Sequence, residues 1–172
     1  RLHAAGRAQC VLGNHELNLL RGAAKHGNGW FFDDDHDRAQ GRFLQSKRVV
    51  PRDRDAILRF VASLPVALVR DDLRVVHAAW HEPSLRRFAT DLAALPYLEL
   101  YESFATDAVE VQERARLAQA AAEERAPYEH RLTDRNADVP LLVNVGACDV
   151  HYQMSNPLRV VTSGVEQLAA QP

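Results

Sequence analysis

The segment Gly13-Asn14-His15-Glu16 puts side by side residue types that can do chemistry. Asn14 offers an amide oxygen that can ligate a hard or borderline cation without adding charge. His15, beside it, can protonate a leaving group. An oxygen donor on a fixed turn and an acid within reach of substrate are the parts a hydrolytic metal site needs. By average residue frequencies, a given four-letter word turns up by chance in roughly one of a thousand chains this long.

Such a site has to be held by its neighbours. Gln9 to Leu12 is a short apolar run ending at a glycine and predicts a buried strand, entered from a helix tail over Arg1 to Ala8. Gly13 lets the backbone turn sharply at the strand end. Leucine and alanine then recur at helical spacing from Glu16 to Ala24, which places His15 at a helix N-terminus. Lys25 to Trp30 carries two glycines and predicts a loop.

Further on, Asp33-Asp34-Asp35 supplies capping carboxylates for a short helix through Leu44. Asp53 to Leu64 predicts a helix with Ile57, Leu58, Val61 and Leu64 on one face, stopped by Pro65. Val66 to Arg70 and Leu73 to Ala78 flank Asp71-Asp72 as a β-hairpin, so His77 falls near the end of a strand. Pro83 suits the first turn of a helix through Leu92. Thr106 to Ala126, rich in Ala, Glu, Arg and Gln, predicts a long exposed helix. Leu141 to Val145 and Leu158 to Val161 predict two more strands. The mixture implies one α/β domain over residues 1–172.

Composition narrows the classes. At 172 residues, with 47% apolar and 26% charged residues, the chain is ordinary for a globular domain. A net charge of −2 gives no long-range field for nucleic acid or an anionic membrane, so neither is expected as a partner. No apolar run has the length of a membrane span, and no signal peptide is visible. Cys10 and Cys148 lie outside any metal or redox spacing, which fits a reducing cytoplasm. The chain begins at Arg1 without a methionine and is read as an internal fragment.

Two motifs together resemble the calcineurin-like metallophosphoesterases, in the bacterial branch near Ser/Thr protein phosphatases and symmetrical diadenosine-tetraphosphatases. They are Val11-Leu12-Gly13-Asn14-His15-Glu16 and, about sixty residues on, Arg74-Val75-Val76-His77-Ala78-Ala79-Trp80. The resemblance implies a layered α/β/β/α sandwich. It implies a hydrolase acting on phosphomonoesters, a phosphoprotein or a dinucleoside polyphosphate through hydroxide activated by two divalent metals, with manganese first and Fe, Zn, Ni or Co as alternatives. It makes Asn14 and His77 metal ligands and His15 the general acid. Gly13 and Glu16 then shape the loop.

The same resemblance places the family's first-metal motifs, Asp-x-His and Gly-Asp-x-x-Asp-Arg-Gly, before Arg1, and a further Gly-His motif after Pro172. Where the second motif usually reads Val-His-Gly-Gly, this chain has Ala78-Ala79. Met154-Ser155-Asn156-Pro157 leading into Val160 to Gly164 is also similar to that branch.

Other candidates carry less. His81 and Arg21 are expected near a phosphorylated small molecule or phosphoprotein, and Lys25 shares the helix end with Arg21. The acidic run Asp33 to Asp37 reads as a solvated cap, and Asp149-Val150-His151 as a surface loop. His3, His26 and His130 have no partner pattern. A second reading stands beside the enzyme: a non-catalytic remnant or a binding or structural domain, because two ligands are too few to hold a pair of metals. On that reading this chain alone binds metal weakly and hydrolyses little.

Overall fold

The computed structural model describes residues 2–32, 47–91 and 96–167. The acidic run at Asp33 to Asp37 and the helix expected through Leu44 lie outside them. Helix α1 spans Asn14–Leu20 and buries Leu17 and Leu19. It stops where Gly22 takes a positive φ of 63°, the left-handed turn that only glycine adopts freely, and the Gly22 N–H returns to the Leu19 carbonyl at 3.1 Å. A short α2 (Gly29–Phe32) follows the Lys25–Asn28 turn. Helix α3 (Arg54–Ala62) begins after a 3-10 turn at Pro51–Asp53 and buries Val61.

The hairpin forms as its pattern implied. Strands β1 (Ala67–Arg70) and β2 (Leu73–Val76) pair antiparallel, with Ala67 opposite Val76 and Arg70 opposite Leu73. Exposed ion pairing of Arg70 with Asp72 closes the turn and holds the Asp72 carboxyl below the usual carboxylate range. Helix α4 (Glu82–Asp91) then starts with Pro83 in its first turn. Helix α5 (Tyr97–Thr106) buries Leu100, Tyr101 and Phe104. Helix α6 (Ala108–Arg125) is capped by Asp107, whose carboxylate accepts from the Val109 and Glu110 N–H groups at 3.1 Å each. A 3-10 turn at Ala126–Arg131 leads towards α7 (Val143–Met154), which packs along α6. Helix α8 (Pro157–Ser163) closes the order.

Several expectations fail here for identifiable reasons. Residues 2–6 form turns rather than a helix tail. The Gln9–Leu12 run is not a strand: among the described residues no strand pairs with it, although the Leu12 N–H donates to the Pro65 carbonyl at 2.8 Å. The runs at 141–145 and 158–161 enter helices. In the second, Pro157 sits at the first helical position and the Asn156 side chain accepts from the Leu158 N–H at 3.0 Å. Both are helix-starting signals. Because Leu158, Val160, Val161 and Thr162 are all fully buried, only Arg159 and Ser163 are left to give α8 a polar side. Its periodicity therefore looks like that of a buried strand.

The consequence for the fold class is plain. Among the described residues the only sheet is the two-stranded hairpin, and the remaining elements are helical. Two strands cannot make the inner layers of an α/β/β/α sandwich. The expected metallophosphoesterase fold, and with it the resemblance to that family, is overturned by a small, mostly helical architecture.

The core is built from helices meeting around α8. Leu12, Leu17, Val61, Phe88, Leu100 and Val161 pack in one cluster, and each fully buried side chain of this kind contributes about 1.5–3 kcal/mol. Tyr97 packs at its border, where burial raises its phenol above the ordinary range against the opposing effect of a Val66 backbone hydrogen bond. Beyond β2, the Ala78 and Ala79 N–H groups both donate to the Val161 carbonyl, at 3.1 and 3.4 Å. That clasp fixes the end of the hairpin, and so His77, against α8.

Candidate functional site

The turn before α1 is crowded. Gly13 is buried in extended backbone. A methyl group in place of its hydrogen would lie 2.6 Å from a Glu16 carboxylate oxygen and 2.8 Å from Nδ1 of His77. The structure thus brings Gly13, Glu16 and His77 together, with Asn14 as the next residue on the chain. What makes Gly13 a glycine is lack of room, since its φ of −106° suits any residue.

His15 is paired with Asn28. Its ring is exposed, and Nδ1 lies 2.8 Å from Oδ1 of Asn28. The Asn28 amide nitrogen donates in return to the His15 carbonyl at 3.0 Å. That second bond fixes which end of the amide meets the ring, so the His15 Nδ1–H is the donor. Asn28 is only 1% exposed, and this reciprocal pair satisfies it. Sequence reasoning misses Asn28, whose sole signal is its place between Gly27 and Gly29 in a loop.

His81 sits at the start of α4, where its Nδ1 is 2.8 Å from the Ser84 hydroxyl and its carbonyl accepts the Leu85 N–H. It does not line the pocket that holds Arg21. Asp149 and His151 lie on α7 rather than on a loop. His151 Nε2 approaches Glu110 Oε2 of α6 to 3.2 Å, without the alignment of a hydrogen bond.

Among the described residues, no three or more His, Cys, Asp or Glu side chains gather closely enough to hold a metal ion. This finding removes the two-metal centre and the metal cofactors that the resemblance implied. The metallophosphatase activity, and the hydrolase reading built on it, fall with them.

The described residues instead shape a polar pocket of about 180 Å³ between α1, α5, α7 and α8. Arg21, Lys25 and Arg159 bring three cationic side chains to it, and among the described residues no carboxylate lines it. Tyr101, 3% exposed, forms the floor on which the arginines are set. The Arg21 guanidinium lies 4.0 Å from the Tyr101 ring centroid, and Arg21 also donates to the Asn18 side-chain oxygen at 3.1 Å. Arg159 donates from Nε to the Tyr101 hydroxyl at 2.7 Å and from Nη1 to the Tyr152 carbonyl. Its guanidinium is 3.6 Å from the Tyr152 ring centroid.

Cation–π stacking and these bonds hold both guanidinium groups in place without neutralising them. Lys25 adds a third positive charge from the segment after α1, and Asn14 is also part of the wall. A set of fixed cations with no counter-charge in the wall can bind an anion.

Arg21 is legible from its helix position, and Lys25 with it. Tyr101, Tyr152 and Arg159 are not, because nothing in a linear reading joins positions 58 residues apart such as Tyr101 and Arg159. No protein-family model, curated protein or solved structure matches this chain. Among the described residues no helix is long and apolar enough to cross a membrane.

Proposed function

We propose that this chain is a non-catalytic binding domain whose ligand is a compact anion, held between Arg21, Lys25 and Arg159. One observation carries the reading: three cationic side chains line one pocket, two of them fixed on tyrosines, and among the described residues no acidic side chain lines it with them. The protein as a whole is slightly acidic, with a net charge of −2, so this cluster is a local feature rather than a consequence of a basic chain. Fixed arginines favour oxyanions because their N–H groups match the spacing of carboxylate and phosphate oxygens. The pocket is smaller than the roughly 300–1,000 Å³ that encloses a whole drug-sized ligand. A single charged head group, carried on a small molecule or on a modified side chain, suits it.

Calorimetric titration with phosphate, sulfate and acetate tests the reading. Binding of at least one of them is expected at one site. Arg159→Met should weaken it about tenfold or more, since a hydrogen bond to a charged group contributes about 1.5–3 kcal/mol. Absence of binding by every one of these anions at millimolar concentration would remove the proposal.

A further inference from the structure

We infer that the pocket is matched to a phosphate monoester in its dianionic form, a conclusion that rests on the anion-binding reading and narrows it to one ligand class. Donor arithmetic comes first. A guanidinium has five N–H donors. Arg21 uses one of them on Asn18, and Arg159 uses one on Tyr101 and one on Tyr152. Most of the donors on both side chains are left for a ligand, and Lys25 adds an ammonium. A carboxylate brings two oxygens and one negative charge to this set. A phosphate monoester brings three terminal oxygens and close to two charges, which uses more donors and balances more of the positive charge.

Shape points the same way. A phosphodiester carries one charge and two substituents, and both substituents would have to leave a cavity of about 180 Å³. A monoester has one substituent, which can point to solvent while the phosphoryl group sits between the arginines. The side chains facing the ligand also define its pH response. Arg21 comes from the end of α1 and Lys25 from the segment after it, Arg159 from α8, Tyr101 from α5 and Tyr152 from α7; among the described residues no histidine or carboxylate joins them. The second ionisation of a phosphate monoester falls near pH 6. Across the mildly acidic range the ligand therefore changes charge.

The test is calorimetric titration of the whole chain with phenyl phosphate, dimethyl phosphate, sulfate and acetate, each at about pH 7.5 and about pH 5.5. Phenyl phosphate should bind roughly tenfold or more tightly than dimethyl phosphate or acetate at the higher pH. Its affinity should fall about fourfold at the lower pH, following the dianion fraction set by a pKa near 6. Sulfate stays dianionic throughout and should bind equally at both. Lys25→Met, at an exposed position where loss of the fold is not expected, should narrow the preference for phenyl phosphate over acetate. Equal binding of acetate or the diester, or phenyl phosphate affinity that ignores pH, would overturn the dianion inference while leaving an anion site. Silence from all four ligands would overturn the binding reading itself.

Discussion

At the residue scale, Gly13 shows how a motif letter can be required for packing. The His77 ring and the Glu16 carboxylate both stand where a Cβ would go. Gly13→Ala should therefore destabilise the protein by about 1–3 kcal/mol, the usual cost of forcing atoms into an occupied space. A urea melt at neutral pH measures it, and an unchanged midpoint would show that His77 and Glu16 swing aside freely. His15 illustrates the same lesson. Its partner is the buried Asn28, and the pair locks the turn before α2 to the start of α1. The tetrapeptide is legible in the sequence, but the neighbours that give each of its side chains a role are not. Asn28 is 13 residues from His15, and His77 follows a different element, β2.

At the scale of elements, local signals decide where a linear reading succeeds. Helix α3, the hairpin, α4 and α6 announce themselves through an apolar face, a tight acidic turn, a proline in the first turn and a helix-favouring composition respectively. Helix α8 carries such signals in Asn156 and Pro157, but burial of all its side chains except Arg159 and Ser163 hides its helical periodicity. Its start depends on Asn156, which caps Leu158 and also donates from Nδ2 to the Tyr101 carbonyl at 3.1 Å. One buried side chain thus starts α8 and ties it to α5, the two helices that bring Arg159 to Tyr101. Asn156→Ala should lose about 1–3 kcal/mol, the sum of a lost cap and an unpaired buried carbonyl. It should also weaken anion binding, because Arg159 loses its fixed seat. A thermal melt with and without phosphate reads both effects; full stability in the variant would contradict that role for Asn156.

For the whole molecule, the sequence supports too large a conclusion. Two motifs fit a family whose fold needs many strands, and the runs expected to supply further strands enter helices or stay unpaired. A strand is a property of two segments, so no single apolar run can establish one. The metal centre fails for a related reason: ligands must converge, and among the described residues no group of three does. Equilibrium dialysis against Mn²⁺ should accordingly find no stoichiometric site. Retention of two ions per chain, with hydrolysis of a phosphate ester, would restore the enzymatic reading at the expense of a non-catalytic anion-binding domain. The pocket is the opposite case: the sequence offers Arg21 and Lys25, but the site itself exists only because α1, α5, α7 and α8 meet.

That meeting point can be observed directly. Two-dimensional NMR of the labelled chain, titrated with inorganic phosphate, reports which amides sense the ligand. Saturable shifts should concentrate on residues 14–25, around Tyr101, and on residues 152–163, while β1, β2 and α3 remain still. Shifts scattered over the surface, or centred anywhere other than Arg21 and Arg159, would contradict an anion-binding domain organised around those two side chains.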